Sequence, residues 1–361
     1  MKLSNASKFF LLFSLFLLLT GCGGGGNNSN NSTPSSSDSE SIEANPAVKA
    51  QSTYFTFVDE DITYAEGLSL GNSSSTPIAI PLKLDVYYPS NDLTDRPVFM
   101  FIHGGGFVGG TKSSPNIVDM AGYFASRGWV FVSIDYRTTE DIITIEGMPQ
   151  EELLSFYSGI APQEWIEYTL QGAVTIKQFE QSIAMYMAQR DSKAALRWIV
   201  ANSQTYGINP DFITVGGASA GAITTIALGI SDQEDFRDEI SIADDPTLST
   251  TNLDALYNVK SMIYFWGSNI KLDIFEAVYG LYQYDSNDPE LFMAHGDQYD
   301  PVTPYEEALE LQEIYNSLGI YSKLATLEGE GHGAWSATIN GKGLSEMSFD
   351  FIVERQSLTV D

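Results

Sequence analysis

The stretch Ile213-Thr214-Val215-Gly216-Gly217-Ala218-Ser219-Ala220-Gly221 decides how this chain is read. A β-branched run ends in Gly-x-Ser-x-Gly, and Ile223, Ile226, Ala227 and Ile230 follow at helical spacing. Strand, serine between glycines, then helix is the context of a nucleophile elbow. The turn is so tight that its flanking positions must lack side chains, and it lifts the serine hydroxyl above the sheet. In a chain with 31 glycines the pattern alone is weak. Chance supplies on the order of 0.3 matches, and a Gly-rich turn with an incidental serine reads as well. Its standing depends on its partners.

Outward from the elbow, apolar runs at Leu82–Tyr88, Pro97–Ile102, Trp129–Ile134, Phe212–Val215, Val259–Trp266, Leu291–Ala294 and Ser322–Leu327 read as buried strands. Helical patterns at Ile117–Arg127, Lys193–Tyr206, Ala222–Gly229 and Pro304–Leu318 lie between them. This alternation predicts an α/β fold with a mostly parallel central sheet and helices on both faces. One connection, residues 138–191, is too long for its task. Ile176, Phe179, Ile183 and Met187 recur in it at 3-4-4 spacing, with Trp165, Tyr168 and Tyr186 nearby. An amphipathic helix packed on the core accounts for the spacing. The expectation is a cap insertion over the site, because the segment leaves from the carboxyl end of a strand, where open α/β sheets bind ligands.

A serine nucleophile needs a base, usually histidine. The chain has three: His103, His295 and His332. His103 opens His103-Gly104-Gly105-Gly106-Phe107 directly after a strand, and three consecutive glycines let backbone N–H groups approach a developing oxyanion. His103 then shapes that loop. Gly104-x-Gly106-x-x-Gly109 also matches a dinucleotide fingerprint, but Thr111 to Pro115 intervene before a helix can receive pyrophosphate, and Asp135 lies too far on. A P-loop fails because Thr111 separates Gly110 from Lys112. His295 ends a strand ahead of Asp297 and Asp300, carboxylates placed to orient a base. His332, in the Gly-flanked loop Glu328–Trp335, remains as the base, in the chain order Ser, Asp, His.

With these residues in hand, the chain resembles the carboxylesterase and hormone-sensitive-lipase-like group of α/β-hydrolases. FIHGGGF (101–107), VSIDYR (132–137), GINPDFITVGGASAG (207–221), HGDQYDPVTP (295–304) and GEGHGAW (329–335) carry the resemblance in the family's order. It implies Ser219 as nucleophile, His332 as base, Asp300 as acid, and the N–H groups of Gly105, Gly106 and Ala220 as oxyanion donors. The family commonly places its acid where Tyr299 stands here, which keeps Asp297 as an alternative. Asp135 and Arg137 read as a structural pair near the site. The implied activity is a serine esterase on small-molecule carboxylic esters. The alternatives are a peptidase or amidase with the same triad and a catalytically silent, surface-tethered binding protein. No metal or organic cofactor is implied.

The ends and the charge set the context. Residues 1–22 read as a leader, with Lys2 and Lys8 ahead of an apolar run too short to span a bilayer. Leu19-Thr20-Gly21-Cys22 resembles the lipobox of bacterial lipoproteins, implying cleavage before Cys22 and lipidation of this sole cysteine. Gly23 implies sorting to an outer membrane. Residues 23–50 are Gly, Ser and Asn rich and read as a flexible tether of roughly 30 Å reach. The catalytic domain is then expected over 51–361. A net charge of −29 excludes nucleic acid and polyanionic substrates by repulsion. The cluster Asp232, Glu234, Asp235, Asp238, Glu239, Asp244, Asp245 reads as a solvated loop, with a calcium site as the alternative.

Overall fold

From residue 96 onward at least one helix separates each strand from the next, as parallel pairing requires of its crossovers. In the computed structural model the order is β1 (Ala47–Val48), β2 (Thr56–Ser69), β3 (Ile78–Pro89), β4 (Arg96–Ile102), α1 (Pro115–Ala125), β5 (Val130–Ile134), α2 (Gln150–Tyr157), α3 (Gln163–Gly172), α4 (Ile176–Ala201), α5 (Ser203–Tyr206), β6 (Ile208–Ala218), α6 (Ala220–Ile230), β7 (Val259–Phe265), α7 (Asp273–Tyr279), β8 (Glu290–Gly296), α8 (Tyr305–Leu318), β9 (Ser322–Leu327), α9 (Leu344–Arg355) and β10 (Thr359–Val360). The structure describes residues 45–70, 77–142, 149–237, 239–269, 272–279 and 284–361. The expected leader, Cys22 and the tether as far as residue 44 lie outside the described residues.

The main sheet has the order β2-β3-β5-β4-β6-β7-β8-β9. β2 and β3 run antiparallel, and from β5 onward the pairs are parallel. Side-chain alternation sorts the core into two faces. Val98, Met100 and Ile102 of β4 join the cluster that holds residues of α4, α6 and α8. Phe99 and Phe101, from the same strand, join Phe131, Phe265 and Phe292 under α1 and α9. The second face is the richer in aromatic rings for its size, and each is covered by helices. Chain order reverses at β4: β5 lies on one side and β6 on the other. That switch point leaves a crevice at the carboxyl ends of β4 and β6.

Several expectations need correction. The helix expected from Lys193 begins at Ile176 and runs unbroken for 26 residues, so the 176–191 end of the 138–191 segment and the following helix are one rod, roughly 40 Å long. Charge hid this. Arg190, Asp191, Lys193 and Arg197 are all buried on α4, where a hydrophobic-periodicity reading puts such residues in solvent. Residues 45–50, assigned to the tether, belong to the folded unit. Val48 is buried, and β1 pairs in parallel with β10, a contact no local composition can show. The sequence does not announce β2, because its first half is exposed and two register shifts break its alternation.

Asp135 and Arg137 do not pair. Asp135 accepts from the Lys112 backbone N–H at 2.6 Å. Arg137 instead forms a buried fork with Asp191, its Nη2 2.6 Å from Oδ1 and its Nε 2.9 Å from Oδ2. Nor is the acidic cluster simply solvated. Asp245 is fully buried against Arg190 at 2.8 Å, and Glu239 accepts from the Tyr186 hydroxyl at 2.6 Å. Asp238 lies outside the described residues, among which no group of three or more His, Cys, Asp or Glu side chains could hold a metal ion.

Candidate active site

Ser219 sits between β6 and α6 with φ 55° and ψ −120°, a backbone state costing a non-glycine residue on the order of 1–3 kcal/mol. Its surroundings enforce that state. The Ser219 N–H donates to the Phe265 carbonyl at 2.9 Å, and its own carbonyl accepts from Ala222 and Ile223 as α6 begins. The flanking glycines are required by space. A Cβ on Gly217 would lie 2.3 Å from the Gly221 carbonyl carbon, and one on Gly221 would lie 2.1 Å from the Ile102 oxygen.

Two further strand ends bring partners to this serine. His332, in the loop after β9, places Nε2 3.0 Å from Ser219 Oγ. Its Nδ1 lies 2.7 Å from Oδ2 of Asp300, in the loop after β8. A carboxylate only accepts, so Nδ1 carries the proton and Nε2 presents its lone pair to the serine. Asp300 is buried, which alone would push its pKa up. Hydrogen bonds from the Thr303 hydroxyl (2.7 Å), the backbone N–H groups of Val302 (2.8 Å) and Thr303 (3.2 Å), and His332 outweigh that and hold it below the usual carboxylate range.

Asp297 is not brought to the histidine. It is exposed, and its Oδ1 accepts from the Gly329 N–H at 2.8 Å. With Gln298 N–H donating to the Glu330 carbonyl at 3.0 Å, this staples the loop that bears His332 to the loop that bears Asp300.

The other histidines are occupied. His103 is buried, donates from Nδ1 to the Gly104 carbonyl at 2.7 Å and stacks on Tyr136 with centroids 4.3 Å apart. Burial pushes its pKa down, against the pull of the Gly104 carbonyl and Asp135. His295 is buried in β8, with Nδ1 2.9 Å from the Gly296 carbonyl, and burial lowers its pKa too. The glycine loop lies beside the elbow: a Cβ on Gly104 would stand 3.2 Å from that of Ser219. Gly105 and Gly106 take φ 124° and 62°. The N–H groups of Gly105, Gly106 and Ala220 engage no protein acceptor among the described residues.

This arrangement can be set beside known proteins. The family model BD-FAE matches residues 84–145 and 177–315, more than half of the sequence. The chain belongs to the BD-FAE family. Mouse (Mus musculus) carboxylesterase 1C is 31% identical over 194 residues, which cover 51% of this chain and 28% of that protein. The chain therefore spans less than a third of that relative's length. Among solved structures, a truncated carbohydrate esterase from gut microbiota superposes with a TM-score of 0.52 at 17% identity, covering 86% of this chain and 99% of that one. Esterase 2 of Thermogutta terrifontis, phosphorylated by paraoxon, gives 0.53 at 20% identity, covering 82% and 94%. The fold is that of the α/β-hydrolases, as the sequence motifs implied.

In this BD-FAE chain a cavity of about 460 Å³ opens over Ser219. Phe107, Met185, Ile223 and Ile274 give it apolar walls, and Gln181 and Thr303 contribute polar atoms. The matched stretches leave out residues 146–176, which hold α2 and α3. α3 is docked on α4 by the buried Trp165, whose Nε1–H donates to the Ser182 carbonyl at 3.0 Å. Two contacts went unseen in the sequence. Thr303 Oγ bridges Asp300 and His332, lying 3.0 Å from Nδ1; the Thr between the prolines of the acid loop was the available signal. Gln181 Nε2 donates to the Gly106 carbonyl at 2.8 Å, and nothing local to either residue announces it.

Proposed function

We propose that the chain is a serine hydrolase of carboxylic esters, with the described part of residues 138–191 as the cap of its substrate cavity. The observation that carries this reading is the relay Ser219 Oγ to His332 Nε2 at 3.0 Å and His332 Nδ1 to Asp300 at 2.7 Å. Ser219 attacks the ester carbonyl carbon while His332 Nε2 takes the hydroxyl proton. Asp300 keeps Nδ1 protonated and stabilises the imidazolium that forms. The carbonyl oxygen becomes an alkoxide beside the free N–H groups of Gly105, Gly106 and Ala220, donors already in place when charge develops. Collapse breaks the bond to the alcohol, which leaves with the proton from His332. Water then attacks the acyl-enzyme by the same route, releasing acid and free Ser219. The apolar walls suit a neutral substrate, and a chain of −29 repels polyanions. The esterase relatives support this choice of bond.

The test is hydrolysis of p-nitrophenyl esters of increasing acyl length by the wild type and Ser219→Ala. A burst of p-nitrophenol and a loss of at least about 10⁴-fold in the variant are expected. Equal rates in the two proteins would sink the proposal, and hydrolysis of p-nitroanilides faster than the matched esters would move it to an amidase.

The same proposal places the enzyme at a bacterial membrane, the outer one in a cell with two, through lipid on Cys22. Support comes from the lipobox-like Leu19–Cys22 and the Gly/Ser/Asn-rich residues after it. No helix among the described residues is long and apolar enough to cross a membrane. Labelling with an alkyne fatty acid in a bacterial host should mark the wild type and not Cys22→Ser. An unlabelled wild type in the soluble fraction would overturn the anchor.

A further inference from the structure

We propose that Gln181 is a positioning residue for the oxyanion loop, through which the insertion sets the geometry of ester attack; this rests on the esterase reading above. The loop is strained where it matters. Gly106 and Phe107 take φ 62° and 60° in succession, and the second is a bulky residue in the left-handed region. Such a conformation persists only where the surroundings over-determine it. Here two of the restraints come from the insertion: Gln181 Nε2 donates to the Gly106 carbonyl at 2.8 Å, and the Thr139 N–H donates to the Phe107 carbonyl at 2.9 Å. The third, Val108 N–H to the Gly105 carbonyl at 3.0 Å, is internal to the loop. Only a donor can face a carbonyl, so the side-chain amide of Gln181 has one permitted orientation.

Gln181 is itself held on a stiff mount. Next to it, the Ser182 carbonyl accepts from Trp165 and the Ser182 hydroxyl meets Thr169 Oγ at 2.8 Å. One turn earlier, Thr175 and Gln178 form a capping box that fixes the start of α4. Further along the rod, Asp191 is locked to Arg137, two residues after the Asp135 that lies 3.6 Å from His103. The Tyr136 hydroxyl, between them, donates to the His103 carbonyl at 3.0 Å. The glycine loop is therefore gripped at its root by the β5 end and at its tip by Gln181. Releasing the tip lets the Gly106–Phe107 peptide relax out of its strained state, and small misplacements at a reacting centre are expensive in rate.

The experiment compares wild type, Gln181→Met, which keeps the volume without the donor, and Gln181→Glu, whose carboxylate repels the carbonyl. The expected result is a fall in kcat of about ten-fold in Met and more in Glu, with KM within about three-fold; losing a direct oxyanion donor costs 10²–10³-fold, and this effect is one step removed. Phosphorylation of Ser219 by paraoxon should slow in the same proportion, and the thermal midpoint should not move. Because Gln181 also lines the cavity, a loss confined to KM would make it a substrate contact and overturn the proposal, as would wild-type kcat in Gln181→Met. Amide exchange across residues 104–110 gives a readout independent of turnover: faster exchange of the Val108 N–H is expected in Gln181→Met, and unchanged protection counts against the proposal. Failure of Ser219→Ala to differ from wild type would remove the esterase reading itself, which the exchange measurement does not depend on.

Discussion

Asp300 and Asp191 are both carboxylates within hydrogen-bond reach of a basic side chain, and they sit in opposite settings. Asp300 faces His332, whose side chain is 39% exposed. Asp191 faces Arg137 with both side chains 2% exposed, on the half of α4 that also buries Arg190, Lys193 and Arg197. The difference lies in what the partner can do. An imidazole can take a proton on one nitrogen while it holds one on the other, so a carboxylate behind it can steer a proton transfer. A guanidinium never gives up its charge in a protein, so the fork can only hold two pieces of chain together. Similar distances thus suit a proton relay in one region and a structural clasp in the other.

The contrast can be broken at either end. Asp300→Asn should cut kcat by about 10⁴-fold, since the amide no longer fixes the imidazole tautomer, while the urea midpoint stays close to wild type. A large stability loss with modest kinetic loss would put Asp300 in the architectural class. Asp191→Asn leaves Arg137 buried opposite a neutral group, and about 3–5 kcal/mol of stability should go, read by urea unfolding. Activity per folded molecule, titrated with paraoxon, should fall by no more than the roughly ten-fold expected of Gln181→Met. A kinetic loss as large as that of Asp300→Asn would erase the distinction.

A third test uses Lys193, whose ammonium donates to the carbonyls of Asp232 and, at 2.9 Å, Asp235. Burial, opposed by nearby carboxylates such as Asp235, pushes its pKa from 10.5 down to about 8. Between those values the unfolded chain binds more protons than the folded one. Stability should therefore rise with pH across that window, by at most about 1.4 kcal/mol per unit, with the penalty present in full below it. Lys193→Met should flatten the rise; equal slopes in urea midpoints from pH 8 to 10.5 would exonerate the lysine. The smallest effect is expected of Asp297→Asn. The amide oxygen can still accept from Gly329, so kcat should change by less than about three-fold. A loss matching that of Asp300→Asn would mean that the wrong carboxylate has been assigned to His332.

These regions also differed in how far the sequence exposed them. The elbow was legible because backbone geometry dictates residue type: Gly217 and Gly221 have no room for a Cβ, and Ser219 must stand between them. Strands β4 to β8 were legible for the same local reason, since residues buried on both faces leave unbroken apolar runs. The acid was half legible. Asp297 and Asp300 share one turn after β8, and only the fold shows which carboxylate meets the imidazole and which meets Gly329. α4 is hidden in the sequence because its buried charges face partners far along the chain, Arg137 before it and Asp245 after it. The contact from Gln181 to Gly106 was invisible for that reason too: it joins residues 75 apart, and neither has a neighbour that requires it.

The pairing of β1 with β10 has a consequence for topology. Ala47 lies beside Thr359 and Val48 beside Val360, and Lys49 reaches Asp361 at 3.2 Å. The first and last strands of the folded unit are stitched side by side, so its path is nearly a closed ring. A ring can be cut elsewhere: a short linker from Asp361 back to residue 45, with new ends in an exposed turn, leaves every strand neighbour in place. Serine, acid and base would then follow one another in a different order. The order of these residues along the chain is then a matter of where the ring is cut, whereas the proposed attack on an ester needs only the place where the strand ends meet.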